Sequence, residues 1–212
     1  MTINAARTAV LALHLQRDIV AADGALADFF YPEVERTAVL PAIGRVLSSA
    51  RKVGAKVIYA RVAYLAGYSD LIANSPLTEM VRARKCMIDG TPGAEIVNQL
   101  APRSTDVVLC QKRVSAFQST QLDLLLRSAG IDILVLCGVA TNVSVESTAR
   151  TASDLGYRTI VVDDACSAAS AAAHGAALES LGLLAEVITV DGLLASWAPS
   201  AVEAIEKDQA RV

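Results

Sequence analysis

At 212 residues, 53% of them hydrophobic and 19% charged, the chain is long enough to bury a substantial core as one domain over residues 1–212. Its net charge of −3, with lysines and arginines scattered rather than clustered, argues against nucleic acid or an anionic membrane surface as a partner. No apolar run reaches the roughly 18–20 residues that span a bilayer, and MTINAARTAVLALHLQRD lacks a secretory layout, so a cytoplasmic protein is expected.

The first strand-like run, TAVLALHL (8–15), carries His14 near its end, with Gln16 and Asp18 just beyond. Val34–Val53 places apolar residues three and four apart, a helix that Pro41 begins or kinks. AKVIYARV (55–62) is the second run and delivers Arg61 and Tyr64. Ala63–Gly93 has no clear strand, and an irregular stretch of that length reads as a functional loop region or an oligomer contact. TDVVLCQ (105–111) leads to Lys112 and Arg113, and the helical segment Ser119–Ala129 stops at Gly130. IDILVLCG (131–138) runs into the turn GVATNVS and a helix over Asn142–Leu155, which stops at Gly156. YRTIVVDD (157–164), a helix over Ser170–Leu181 stopped by Gly182, and AEVITV (185–190) complete the series.

Runs that are apolar throughout, rather than alternating, belong to strands covered on both faces. Their alternation with helices predicts a three-layer αβα sandwich around a mainly parallel sheet of about six strands. Ligands bind such sheets at the carboxyl ends of the strands. His14, Gln16, Arg61, Tyr64, Lys112 and Ser144 therefore converge on one edge. The four cysteines, Cys86, Cys110, Cys137 and Cys166, form no C-x-x-C pair, and three lie in or beside apolar runs, so buried free thiols are expected. With only His14 and His174, no metal site and no cofactor are expected. His174 lies in an alanine-rich helix, where packing is its expected role.

The stretches AVLALHLQRDIV, DGTPGAEIVNQLAP, QKRVSAFQSTQLDLLLRSAGID, CGVATNVSVESTARTASDLGYRTIVVDDACSA and HGAALESL resemble, in order, the isochorismatase-like (cysteine hydrolase) family. The resemblance implies an αβα fold, homo-oligomers (dimer or tetramer) and activity on small molecules. It also implies a catalytic triad of aspartate, lysine and cysteine. Carried over by position, the lysine falls on Lys112, the aspartate on His14 and the cysteine on Ser144. Two of the three positions depart from the family pattern. The family's turn at this place often holds a cis peptide, here between Val139 and Ala140, and presents backbone N–H groups to an oxyanion beside Ser144. Nicotinamidases of the family bind a metal through an aspartate and histidines after the second strand, but YARVAYLAGYSD has no histidine.

A serine needs a base beside it to act as nucleophile, and a neutral imidazole suits that task near pH 7. The expectation is a hydrolase of a small amide, carbamoyl or related carbonyl compound. Ser144 is the nucleophile, His14 the base, and Lys112 the electrostatic support that lowers the His14 pKa. Gln16, Arg61, Tyr64 and Phe117 are the candidate substrate-binding residues, with Tyr68 and Trp197 as further aromatics and Asp18 as a supporting acid. Two alternatives stay open: a non-catalytic relative that binds a small molecule or acts as a scaffold, and a vinyl-ether hydrolase of the isochorismatase type.

Overall fold

A computed structural model describes residues 2–197. Six strands form one sheet: β1 (Thr8–Leu13), β2 (Lys56–Val62), β3 (Val107–Gln111), β4 (Ile133–Val139), β5 (Arg158–Ser167) and β6 (Glu186–Ile188). Every neighbouring pair is parallel, in the order β3-β2-β1-β4-β5-β6. The order reverses between β1 and β4, which opens a crevice at their carboxyl ends. The expected six-stranded αβα architecture is therefore present.

Strand β1 explains the layering. All six of its residues are buried. Successive side chains alternate faces, so Ala9, Leu11 and Leu13 enter one core and Val10 and Ala12 the other. The first core also takes Leu122 and Leu126 from α5 (Leu122–Ser128), Ala149 and Ala152 from α6 (Glu146–Asp154), and Leu181 from α7 (Ala171–Leu181). The second takes Val34 from α2 (Ala27–Arg36), Ile43, Val46 and Leu47 from α3 (Val39–Val53), and Val190 and Leu193 from α8 (Val190–Ser196). A four-residue helix, α1 (Arg17–Val20), follows β1.

Several boundaries differ from the sequence reading. The helix expected over Val34–Val53 is two helices, broken at Ala38, whose φ is 49°, and Pro41 sits in the first turn of α3, where its missing N–H costs no hydrogen bond. The irregular stretch after β2 contains a helix, α4 (Pro76–Arg84), which opens with a Ser75–Thr78 capping box. Gly130 and Gly156 carry positive φ after α5 and α6, whereas Gly182 is right-handed, so α7 ends without a left-handed cap. β3 is an edge strand, and its outward residues Val108 and Cys110 are exposed, which corrects the expectation of a buried thiol at Cys110. Cys86, Cys137 and Cys166 are buried and free.

Candidate active site

The crevice between β1 and β4 holds a cavity of about 320 Å³, within the usual range for small-molecule sites. His14 follows β1 with a φ of 55°, a left-handed conformation uncommon outside glycine. Its backbone N–H donates to the Ala60 carbonyl of β2 (2.9 Å), which pins this turn to the sheet. Ser144 lies in the π-helical turn Thr141–Val145 that joins β4 to α6. Gly138 allows the two chain ends to meet: its φ is 127°, and a Cβ there would lie 2.1 Å from the Leu13 carbonyl oxygen. The following peptide, Val139–Ala140, is cis.

These turns bring Ser144 Oγ within 3.0 Å of His14 Nδ1. Both residues are buried and both line the cavity. Burial pushes the His14 pKa down to about 4, while a hydrogen-bonding approach by the Gln111 side chain opposes the shift. The imidazole is therefore neutral at pH 7. Gln111, the last residue of β3, is fully buried, and its Nε2 donates to the carbonyls of Arg113 (2.8 Å) and Val114 (3.2 Å). Its Oε1 and the Nε2 of His14 are both buried, and neither has a hydrogen-bond partner among the described residues.

The opposite wall is largely apolar. Ile19, Leu26 and Phe30 come from the segment after β1, Leu77 and Val81 from α4, and Met87 from the connection to β3. Lys112 and Arg113 also line the cavity, with Tyr64, Asn74, Ser75 and Thr78 supplying further polar groups. Among the described residues, Arg113 forms no ion pair, and no three His, Cys, Asp or Glu side chains group to hold a metal ion. No described helix is long and apolar enough to cross a membrane.

A profile of the isochorismatase domain matches residues 8–192. The chain belongs to the isochorismatase family. It is 31% identical over 203 residues to the uncharacterized isochorismatase family protein YecD of Escherichia coli O157:H7, a match covering 92% of this chain and 98% of YecD. It is 36% identical over 171 residues to the ureidoacrylate amidohydrolase RutB of Serratia proteamaculans, covering 74% of this chain and 68% of RutB. Among solved structures, a cysteine hydrolase from Pseudomonas syringae pv. phaseolicola superposes with a TM-score of 0.83 at 28% identity, covering 92% of this chain and 94% of that one.

Within this isochorismatase-family site the structure sorts the residues singled out from sequence. His14 and Ser144 meet, and Tyr64 lines the same cavity. Lys112 lines the cavity too, but its ammonium pairs with Asp70 (2.6 Å) and hydrogen-bonds the Ala63 carbonyl, and it is not what depresses the His14 pKa. The neighbour of the imidazole is Gln111. Gln16 does not face the cavity; its Nε2 donates to Val62 O (2.6 Å) and Ala94 O (3.0 Å), and its Oε1 accepts from Val62 N (2.8 Å). Its amide is fully committed to the backbone. Arg61 also lies outside the cavity lining and pairs with Asp89 (2.7 Å). Phe117 packs on Tyr157 in the other core, with ring centroids 5.8 Å apart.

The supporting residues have clear tasks. Asp18 accepts from Met87 N (2.7 Å), so the acid holds the cavity wall in place. Gly93 permits this, because a Cβ there would lie 2.3 Å from Asp18 Oδ1. Tyr68 packs beside Tyr64 and donates to the Cys86 carbonyl (2.8 Å), while Trp197 Nε1 donates to Ser49 Oγ (3.3 Å), remote from the site. His174 does more than pack. Its Nδ1 lies 2.8 Å from Thr141 Oγ1 and its Nε2 2.9 Å from Asp163 Oδ1, tying α7 to the turn that carries Ser144.

Proposed function

We propose that this protein hydrolyses a small amide or carbamoyl compound, with Ser144 as nucleophile and His14 as general base. The observation that carries the reading is the buried 3.0 Å contact between Ser144 Oγ and His14 Nδ1 on the cavity surface. The name of the 36% identical relative, a ureidoacrylate amidohydrolase, supports the C–N class. Ser144 Oγ attacks the carbonyl carbon as its proton passes to Nδ1. The oxyanion is taken by backbone N–H groups of the turn, at Ala140 and Ser144 beyond Val139, where a helix start leaves donors free. The C–N bond then breaks, and the nitrogen leaves with the proton from His14. Water repeats the sequence on the acyl-serine, with His14 again as base, and releases the acid.

The depressed His14 pKa fixes how the steps divide the work. Imidazole is present in its basic form at neutral pH, and the imidazolium formed during attack is a strong acid beside the departing nitrogen. That chemistry also weighs against vinyl-ether cleavage, which requires a resting proton donor where His14 is neutral. The apolar wall suits a substrate with an apolar body. Tyr64 and Lys112 contact it at the cavity edge, and Arg113 is placed to take an anionic group.

The test is turnover of a panel of small amides and ureido compounds by the native protein and its Ser144→Ala and His14→Gln variants. Each substitution should lower kcat by about 10³-fold or more with KM little changed. A serine-directed acylating reagent should add mass at Ser144 in the native chain alone. Turnover that survives Ser144→Ala overturns the nucleophile. Absence of turnover, together with a thermal shift from the same compounds, would make the protein a binding relative.

A further inference from the structure

We propose that Gln111 is a positioning residue, whose amide oxygen accepts a hydrogen bond from the Nε2–H of His14 and leaves Nδ1 unprotonated toward Ser144. The assignment rests on the Ser144–His14 reading of the site, but it concerns the imidazole itself and can be observed without substrate.

The amide's orientation is decided by its surroundings. Two backbone carbonyls, of Arg113 and Val114, lie 2.8 and 3.2 Å from one end of the Gln111 amide, and only the NH₂ end can donate to both. Oε1 is therefore the end left over. It is buried without a partner, as is His14 Nε2, and the Gln111 side chain lies close enough to the imidazole to oppose the fall in its pKa. Consider the two neutral tautomers. With the proton on Nδ1, the bare Nε2 and the bare Oε1 are two buried acceptors with no donor between them. With the proton on Nε2, the ring offers a donor and Gln111 an acceptor, the complementary pair that these two buried atoms need, and the Nδ1 lone pair accepts a hydrogen bond from the Ser144 hydroxyl. The second arrangement is the one a general base needs.

A glutamine can do this without doing what a carboxylate does. It fixes the ring's orientation and proton, but contributes no charge to hold an imidazolium. The charged and titratable groups that share the cavity are Lys112, Arg113 and Tyr64, and the Lys112 charge is met by Asp70. Burial keeps the imidazole neutral, and the Gln111 amide aligns it without adding a charge.

The experiment is long-range ¹H–¹⁵N NMR of the protein labelled in its histidines. There are only two, so the His14→Gln variant assigns the spectrum by loss of one set of signals. At pH 7 His14 should show a protonated Nε2 and a bare Nδ1. Gln111→Met, which keeps the side chain's length and removes the acceptor, should let the Nδ1-protonated form appear and lower kcat about tenfold or more at a KM within about twofold. Gln111→Glu should restore the Nε2-protonated form. A native His14 protonated on Nδ1, or a tautomer unmoved by Gln111→Met, overturns the assignment. If Gln111→Met does not fold, the native spectrum decides alone. A correct tautomer without turnover would sink the hydrolase reading and leave the role of Gln111 standing.

Discussion

His14 and Gln16 stand two positions apart and do opposite work. His14 turns its Nδ1 to Ser144 Oγ at the cavity; Gln16 spends its whole amide on the backbone of Val62 and Ala94. Gln16→Met should leave three buried backbone groups without partners and cost about 3 kcal/mol or more of stability, read as a lower urea midpoint at unchanged slope. For His14, a pKa of about 4 places the acid limb of kcat/KM there. Activity should stay flat from pH 7 to about pH 5 and fall tenfold per unit once below about 4. A limb near the ordinary histidine value of 6.5 would show that His14 is not the base. The sequence makes both residues visible as strand-end polar groups. It cannot say which one turns toward the crevice, because that depends on the left-handed turn at His14. The same ambiguity hides Gln111. In β3, residues of one parity face inward, Leu109 and Gln111 being buried while Val108 and Cys110 are exposed. A shift of one residue therefore exchanges the buried amide for the ammonium of Lys112.

Elements were legible where their pattern was continuous. The six strands and the helices α5, α6 and α7 stand within a few residues of where apolar runs and spacing place them. The break at Ala38 was not legible, since no glycine marks it. Helix α4 was hidden because PLTEMVRAR mixes charged and apolar residues without a clear face, buries only Val81, and caps itself with threonine where a glutamate or glutamine is the familiar signal. Glycines carry different weights along these elements. Gly54 and Gly138 both have positive φ, but a Cβ at Gly54 meets nothing within 4 Å, whereas at Gly138 it meets the backbone of Leu13. Gly54→Ala should cost about 1 kcal/mol, the strain of the conformation alone. Gly138→Ala should cost about 4 kcal/mol or more and separate Ser144 from His14, so that stability and turnover fall together. Paired denaturation curves and rates for the two variants measure the difference.

Across the molecule, the buried imidazole of His14 links the proposed catalysis to acid stability. The folded state holds His14 with a pKa of about 4, against about 6.5 for the free side chain. Between those values the unfolded chain binds the proton more readily, so stability rises with pH through this window. His14's contribution is complete above about pH 6.5 and is lost as pH falls toward 4. It amounts to roughly 3 kcal/mol. Native protein and His14→Gln, compared by urea unfolding at pH 7 and pH 4.5, should differ in that direction, with the native chain losing more on acidification. An equal loss in both would place the pH sensitivity elsewhere.

The cavity wall has a consequence of another kind. Helix α4 and its flanks belong to the crossover between β2 and β3, and this crossover is moored at its near end by the Tyr64–Ile88 bridge and by the Met87 N–H on Asp18. Between those moorings, Asn74, Ser75, Leu77 and Thr78 line the ligand space, and none of them belongs to the buried core. The His14–Ser144 pair proposed to react, by contrast, hangs from β1 and β4 in the middle of the sheet. The molecule thus keeps what it reacts with and what it admits on separate inheritable parts. A library confined to Asn74 and Leu77, which line the cavity outside the core and the capping box, should yield variants with new substrate preferences and unchanged unfolding midpoints, whereas the same effort spent around Gly138 should yield few that fold.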